Sequence, residues 1–205
     1  MTNGTPRNAG SEMMAVRMRQ EGELHLTSRL ATQNDVAVLV PLIDAAIDEL
    51  QKGFLDEGQI RSSHAIMGID RQLIEDGTYF VVELDGMIVG CGGWSRRATL
   101  YGGDHSPRRD AAYLDPATDP AKVRAMYTRP GYTRRGIGRL VLSLCEEAAA
   151  AAGFTALELM STLAGLPLYE AAGFTAMRMV EDKTGGVAVP LVKMRRPIRG
   201  PAAAR

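Results

Sequence analysis

The chain has 205 residues, of which 45% are hydrophobic and 23% charged, and its 24 lysines and arginines balance 24 aspartates and glutamates. This composition is typical of a soluble globular protein, and a net charge of zero argues against a protein whose main task is to hold duplex nucleic acid. No apolar run approaches the roughly 18 residues that span a bilayer, and two cysteines do not make a disulfide framework or a zinc site. We therefore expect a cytoplasmic protein without metal, membrane or nucleic-acid partners.

The two ends differ in pattern from the rest of the chain. Residues 1–22 mix glycine, asparagine, serine and threonine without a sustained period, which predicts a mobile leader. Residues 197–205 predict a mobile tail for the same reason. No internal repeat or linker interrupts the stretch between them, so we expect residues 23–196 to form a single domain.

The first third of the domain predicts a strand followed by helices. The run 24–30 alternates well enough for an opening strand, and Thr32 with Asp35 forms a capping-box pattern at the start of a helix. The apolar residues of that helix recur at helical spacing: Val36, Leu39, Val40, Ile43, Ile47 and Leu50. A second helical stretch is predicted over 59–74, with Asp70 as a local cap.

A hairpin and a long loop follow. Two β-rich runs, 78–84 and 87–91, flank the turn pair Asp85 and Gly86, which is a strong hairpin signal. The segment 96–121 contains several prolines and a Gly-Gly pair and predicts a long loop of the kind that is often functional. A further strand is expected over 122–127.

The last third predicts an amphipathic helix and four shorter elements. The helix begins near Gly136 and ends at Gly153. Its predicted buried face is Ile137, Leu140, Val141, Leu144, Cys145, Ala148 and Ala152. A strand, a short helix and two strands complete the chain: 155–160, 163–172, 174–181 and 187–194. The order predicts an α/β architecture, a mixed sheet with helices on its faces.

The most informative segment is the Gly-x-Gly turn at Gly136 and Gly138, where a predicted strand runs into the amphipathic helix. Unpaired N–H groups in the first helical turn and the helix dipole favour an anion there. The flanking cations are Arg134, Arg135 and Arg139, which suit a phosphate or diphosphate. Gly-x-Gly alone is a weak signal, and an ordinary helix start with solvated arginines is the alternative.

Other phosphate motifs fit poorly. A dinucleotide-type GxGxxG would need glycine at the position of Val141, and a P-loop would need glycine before a Lys-Ser/Thr pair, whereas Lys183 follows Asp182.

Two motifs in order carry a family resemblance. The run PGYTRRGIGR at 130–139, followed by LYEAAGF at 168–174, resembles the GNAT superfamily of N-acetyltransferases. The resemblance implies the GNAT fold of α+β type, a mixed, mostly antiparallel sheet of six to seven strands flanked by about four helices. Thr133 departs from the glutamine or arginine usual at the first position of the family's phosphate motif. That departure removes one polar side-chain contact to the phosphate and leaves the backbone N–H groups that would bind it.

The resemblance implies acetyl-CoA as co-substrate and no metal. The diphosphate is expected on the N–H groups of 134–139, and the pantetheine arm is expected to pair like an extra strand with 126–128. The implied cofactor-binding residues are Met126, Tyr127, Thr128, Arg134, Arg135, Gly136, Ile137, Gly138 and Arg139.

The resemblance also implies catalytic residues. Tyr169 matches the family's general-acid tyrosine, against the alternative of a core tyrosine with a satisfied hydroxyl. A backbone N–H at Met126 or Tyr127 would stabilise the oxyanion. Glu158 is a candidate general base, against the alternative of a strand residue paired to an arginine, and Lys122 stands at another position where relatives place a basic glutamate.

We therefore expect an N-acetyltransferase that transfers the acetyl group of acetyl-CoA to a primary amine of a small molecule or peptide, by direct attack in a ternary complex. The alternative is a catalytically silent GNAT-fold module that binds acyl-CoA. A nucleic-acid binder is weaker still, because a diphosphate already explains the arginines. Members of the family often form dimers, so a homodimer stays open.

Overall fold

The computed structural model describes residues 25–107 and 109–198. The strands are β1 (Leu26–Leu30), β2 (Tyr79–Leu84), β3 (Met87–Ser95), β4 (Ala121–Thr128), β5 (Ala156–Thr162), β6 (Thr175–Asp182) and β7 (Val189–Pro197). The helices are α1 (Val36–Leu50), α2 (Glu57–Ser63), α3 (Arg71–Glu75), α4 (Ile137–Ala151) and α5 (Leu166–Ala171). The predicted leader lies outside the described residues, as does the predicted tail apart from Pro197 and Ile198.

The seven strands form one sheet in the order β1-β2-β3-β4-β5-β7-β6. Within the described part of the chain, only the β4–β5 pair is parallel, and the other five pairs are antiparallel. The mixed, mostly antiparallel sheet expected from the sequence is confirmed. Residues 25–107 and 109–198 contain five α-helices, where about four were expected.

The extra helix arises where the sequence predicted one helical stretch over 59–74. The chain breaks between α2 and α3 at Gly68, whose φ of +154° lies outside the helical region. Within this break, the Tyr127 hydroxyl accepts a hydrogen bond from the Gly68 N–H at 3.0 Å. Asp70 does occupy the N-cap position of α3, but its side chain makes no capping bond and pairs with arginines instead. The single predicted helix is therefore wrong, because α2 ends at Ser63 and α3 begins only at Arg71.

The predicted start of α1 is confirmed. The carboxylate of Asp35 accepts hydrogen bonds from the Thr32 N–H at 2.7 Å and from the Thr32 hydroxyl at 3.0 Å. Both oxygens of Asp35 also bind the guanidinium of Arg29 on β1. This pairing fixes the end of β1 to the beginning of the helix.

The helices cover the two faces of the sheet. On one face, α4 packs against β2, β3 and β4 and buries Ile137, Val141, Leu142, Cys145 and Ala149. On the other face, α1 and α3 pack on β3 and β4 around Leu39, Ile43, Ile47 and Leu73. The buried stripe of α4 is rotated from the predicted one, because Leu140, Leu144 and Ala148 are only partly buried and Ala152 is exposed.

Candidate functional site

A cleft of about 760 Å³ opens where β4 and β5 separate. The two strands pair only from Ala121 with Leu157 to Val123 with Leu159. Beyond that point β5 continues to pair with β7 as far as Thr162, whereas β4 continues to pair with β3 as far as Thr128. The sheet therefore splits at its middle, and backbone edges that a continuous sheet would cover line the cleft.

A bulge in β4 marks the beginning of the split. Ala125 has a φ of +51°, and its carbonyl accepts a hydrogen bond from the Tyr79 hydroxyl at 2.9 Å. Two β4 residues, Ala125 and Met126, stand here opposite the single residue Gly92 of β3. A Cβ on Gly92 would lie 2.6 Å from Cγ of Met126 and 2.7 Å from Cγ1 of Val141, so only glycine fits. The bulge turns Met126 towards the α4 face and Tyr127 towards the α1 face.

The bulge also determines which backbone groups face the cleft. The N–H of Arg129 donates to the carbonyl of Val89 on β3 at 2.9 Å. Backbone groups of successive strand residues point to alternate edges, so Tyr127 also faces β3. Met126 and Thr128 consequently present their N–H and carbonyl groups to the opened edge.

The second part of the cleft is the phosphate arm, formed by residues 132–139 before and at the start of α4. Arg134 and Gly136 have positive φ values of +63° and +82°. The first bond of the helix runs from the Leu140 N–H to the Gly136 carbonyl at 2.9 Å, so the N–H groups of Ile137 and Gly138 have no intrahelical partner. A Cβ placed on Gly136 meets no atom within 4 Å. The turn thus combines open space beside Gly136 with free donors at a helix N-terminus, which suits a diphosphate.

Eight of the nine predicted cofactor-binding residues line the cleft: Met126, Tyr127, Thr128, Arg134, Gly136, Ile137, Gly138 and Arg139. The ninth, Arg135, does not belong to the described lining, and its guanidinium lies 5.0 Å from the centre of the Tyr132 ring. The predicted cofactor-binding residues therefore form one continuous surface of the cleft, apart from Arg135, which lies outside that surface.

Tyr169 of α5 reaches this surface from the other side of the split. Its ring packs edge to face on Phe174 at 5.8 Å between centroids, and its hydroxyl donates to the Met126 sulfur at 3.6 Å. Burial raises the pKa of Tyr169 above its ordinary value. The phenol therefore keeps its proton at neutral and moderately alkaline pH, in contact with a weak acceptor at the open edge of β4.

Glu158, the predicted base, lies elsewhere. Its side chain is 8% exposed and does not belong to the described lining of the cleft. Its Oε1 accepts from Lys122 Nζ at 2.7 Å, and Oε2 lies 2.9 Å from Lys193 Nζ. Burial by itself would raise the pKa of Glu158, but the hydrogen bonds from the two lysines outweigh burial and lower it. Glu158 is thus an ion-paired strand residue, and its partners are lysines rather than the arginine considered from the sequence.

The third part of the cleft is the apolar arm, on the α1 side of β4, which sequence reasoning did not identify. Its side chains are Leu50, Phe54, Ile66, Met67, Leu100, Tyr101, Met160 and Leu191. They come from α1 and the turn that follows it, the break after α2, the long loop, β5 and β7. No local pattern could have united them, because their convergence is a product of the sheet order.

The described residues contain no group of three or more histidine, cysteine, aspartate or glutamate side chains placed to hold a metal ion. Within the same part of the chain no helix is long and apolar enough to cross a membrane.

Comparison with known proteins gives one family. The model of the acetyltransferase (GNAT) family matches residues 42–174. No curated protein matches the chain significantly.

Solved structures share the fold at low sequence identity. The GCN5-related N-acetyltransferase from Rhodopseudomonas palustris aligns with a TM-score of 0.64 and 18% identity, over 89% of this chain and 99% of that one. The PaiA N-acetyltransferase from Thermoplasma acidophilum, in complex with coenzyme A, gives 0.57 and 14% over 84% and 98%. YncA from Salmonella typhimurium, solved with its cofactor acetyl-CoA, gives 0.55 and 20% over 88% and 98%. The GNAT fold expected from the two motifs is confirmed.

Proposed function

The chain belongs to the GNAT family of acetyltransferases, and on that basis we propose that it transfers the acetyl group of acetyl-CoA to a primary amine of a small molecule or peptide. The observation that carries the proposal is the meeting of three features at the split in the sheet. They are the free edge of β4 at Met126 and Thr128, the open cradle at Gly136, and the Tyr169 hydroxyl. A module that only bound acyl-CoA would need the first two and not the third.

The first two features support binding of acetyl-CoA. An amide-bearing pantetheine arm would pair with the carbonyl group of Met126 and with the N–H and carbonyl groups of Thr128, as an added strand does at a sheet edge. The N–H groups of Ile137 and Gly138 would hold the diphosphate, with charge-assisted bonds from Arg134 and Arg139. Two structural relatives, PaiA and YncA, were solved with coenzyme A and acetyl-CoA respectively, which supports the same ligand here.

The chemistry requires an oxyanion donor and an acid. As the amine nitrogen attacks the thioester carbonyl, the N–H of Met126 would stabilise the oxyanion, since Tyr127 is turned to β3. The C–S bond then breaks, and Tyr169 would give its proton to the departing thiolate and regain one from water. The amine loses one proton and the thiolate gains one, so the products are an amide and free coenzyme A.

The structure supplies no side chain that we propose as the base. Among the described residues that line the cleft there is no aspartate, glutamate or histidine, and Glu158 is held by two lysines outside the lining. We propose that the amine enters in its neutral form and that its proton leaves to water after attack.

Calorimetric titration with acetyl-CoA tests the cradle. Gly136→Trp would fill the open space beside Gly136 at the helix N-terminus, and we expect it to abolish binding. The matched control is Gly77→Trp, because Gly77 also has a positive φ (+66°) with nothing within 4 Å, yet does not line the cleft. Both variants carry the same kind of backbone strain, so thermal unfolding should shift by similar amounts.

The outcomes separate the alternatives. Binding that is lost in Gly136→Trp and kept in Gly77→Trp, followed by thiol release when amines are added, supports the transferase. Binding without thiol release from any amine would favour the silent acyl-CoA module. Absence of binding to the unmodified protein would contradict the proposal as a whole.

A further inference from the structure

The charged side chains in the described lining of the cleft are all positive. The described residues that line the cleft include three charged side chains, Arg124, Arg134 and Arg139, and no carboxylate. Arg134 and Arg139 belong to the phosphate arm, where a diphosphate would neutralise them. Arg124 belongs to β4 immediately before the bulge, so it is the charge at the junction with the apolar arm.

Arg124 is an underpaired cation. Its side chain is 1% exposed, and its Nη2 lies 2.9 Å from Oδ2 of Asp70, while its Nε and Nη1 have no hydrogen-bond partner. Asp70 is also shared, because its Oδ1 binds Nη2 of Arg109 at 2.8 Å. One carboxylate thus serves two guanidinium groups, and net positive charge stays buried beside the apolar arm.

The carboxylates that contact the lining are engaged. Asp70 is held by the two arginines, and Asp182 accepts hydrogen bonds from the Tyr101 hydroxyl at 2.7 Å and from the Thr184 N–H at 2.8 Å. Because no carboxylate belongs to the described lining, an ammonium group that entered the apolar arm would lose water without a carboxylate in direct contact. Desolvation of an unpaired ammonium is strongly unfavourable.

We infer that the acceptor is a small apolar monoamine, an alkyl or arylalkyl amine whose hydrocarbon part occupies the apolar arm and which carries no second positive charge. The inference rests on the proposed function and narrows it, because a polyamine or a lysine-rich peptide would bring further cations into the arm. The apolar body would contact Phe54, Ile66 and Met160, and the amino group would point to the open edge of β4.

A matched pair of acceptors tests the substrate class. Pentylamine and cadaverine have the same five-carbon chain, and cadaverine has an amino group at each end. In a thiol-release assay with acetyl-CoA, we expect kcat/KM for pentylamine to exceed that for cadaverine by about tenfold or more, because the second ammonium loses its water in the arm. A lysine-containing peptide is the third acceptor, and phenylethylamine is the fourth.

A charge introduced into the arm gives a second readout. Phe54 is 50% exposed at the edge of the lining, so Phe54→Glu should fold and would offer a partner to the second ammonium. We expect Phe54→Glu to shift the pentylamine-to-cadaverine ratio about three- to fivefold towards cadaverine. The neutral control Phe54→Gln should leave the ratio within about twofold of the unmodified protein.

The outcomes distinguish this inference from the function on which it rests. Turnover of cadaverine or the peptide that equals or exceeds turnover of pentylamine and phenylethylamine would overturn the inference and leave the transferase function standing. An equal response of Phe54→Glu and Phe54→Gln would overturn the proposed position of the hydrocarbon chain. Absence of thiol release from all four acceptors, in a protein that binds acetyl-CoA, would overturn both.

Discussion

The hydroxyl of Tyr169 lies 3.6 Å from the sulfur of Met126 and connects α5 to the free edge of β4 across the split in the sheet. A thioether sulfur is a weak acceptor, so this contact leaves the phenol available to a stronger acceptor such as a thiolate. Since burial holds the pKa of Tyr169 high, the phenol would still carry its proton when the thiolate departs in the proposed reaction. The relationship leads to the first two predictions.

Tyr169→Phe should lower kcat about 10- to 100-fold, because the departing thiolate loses its proton donor. The dissociation constant of acetyl-CoA should change by less than about twofold, since the ring and its packing on Phe174 stay in place. Thiol release and calorimetry measure the two quantities. The matched control is Tyr132→Phe, which removes a hydroxyl from another tyrosine in the lining. An equal loss of turnover in both variants would remove the assigned role of Tyr169.

The pH dependence of kcat/KM should follow the deprotonation of the acceptor amine. Because no carboxylate or histidine lines the described cleft, kcat/KM should rise with pH until the amine is neutral. A raised pKa keeps Tyr169 protonated, so no falling limb should occur below about pH 10. Rates measured with two apolar amines of different basicity test this directly. A rising limb at the same pH for both amines would instead indicate an enzyme base.

Glu158→Gln should reduce stability rather than change catalysis. The substitution leaves Lys122 and Lys193 without their shared carboxylate, and we expect a loss of about 1–3 kcal/mol in the free energy of unfolding, between the values for exposed and buried pairs. Urea denaturation measures this loss. The pH profile of kcat/KM should keep its shape, whereas a general base would give a drop of about 100-fold or more at neutral pH. Such a drop would restore Glu158 as the base.

Acid stability should depend on Asp35. Hydrogen bonds from Arg29, which outweigh burial, lower the pKa of Asp35 from 3.8 to about 2. A carboxyl whose pKa is lower in the folded than in the unfolded state contributes stability above about pH 4, and the contribution is lost as the pH falls towards about 2.

Asp35→Asn should therefore cost about 1–2 kcal/mol at pH 7 and progressively less in acid. Urea midpoints measured at several pH values between these limits give the difference. Glu57→Gln is the control, since the Glu57 side chain is 94% exposed. A deficit for Asp35→Asn that stays constant with pH would show that Arg29 does not lower the carboxyl pKa.

Local signals in the sequence determined most of the elements. The capping box at Thr32 and the Asp85-Gly86 turn both appear where predicted, and α4 begins beside Gly136. Each signal depends on residues within one turn or one hairpin. The segment 59–74 was predicted less well, because α2 ends at Ser63 and the chain before α3 contacts the distant hydroxyl of Tyr127.

The same division applies to the candidate site. The sequence by itself predicted the phosphate arm, because Gly136 and Gly138 stand in one contiguous stretch at a helix start, and the resemblance of the second motif to the GNAT family indicated Tyr169. Only the tertiary structure decided which N–H groups of β4 are free, since the bulge at Ala125 and the end of pairing at Val123 depend on β3 and β5. Tertiary structure also paired Glu158 with lysines from two neighbouring strands and brought together the apolar arm. These are contacts between residues far apart in the chain, and no periodicity or spacing in one sequence records them.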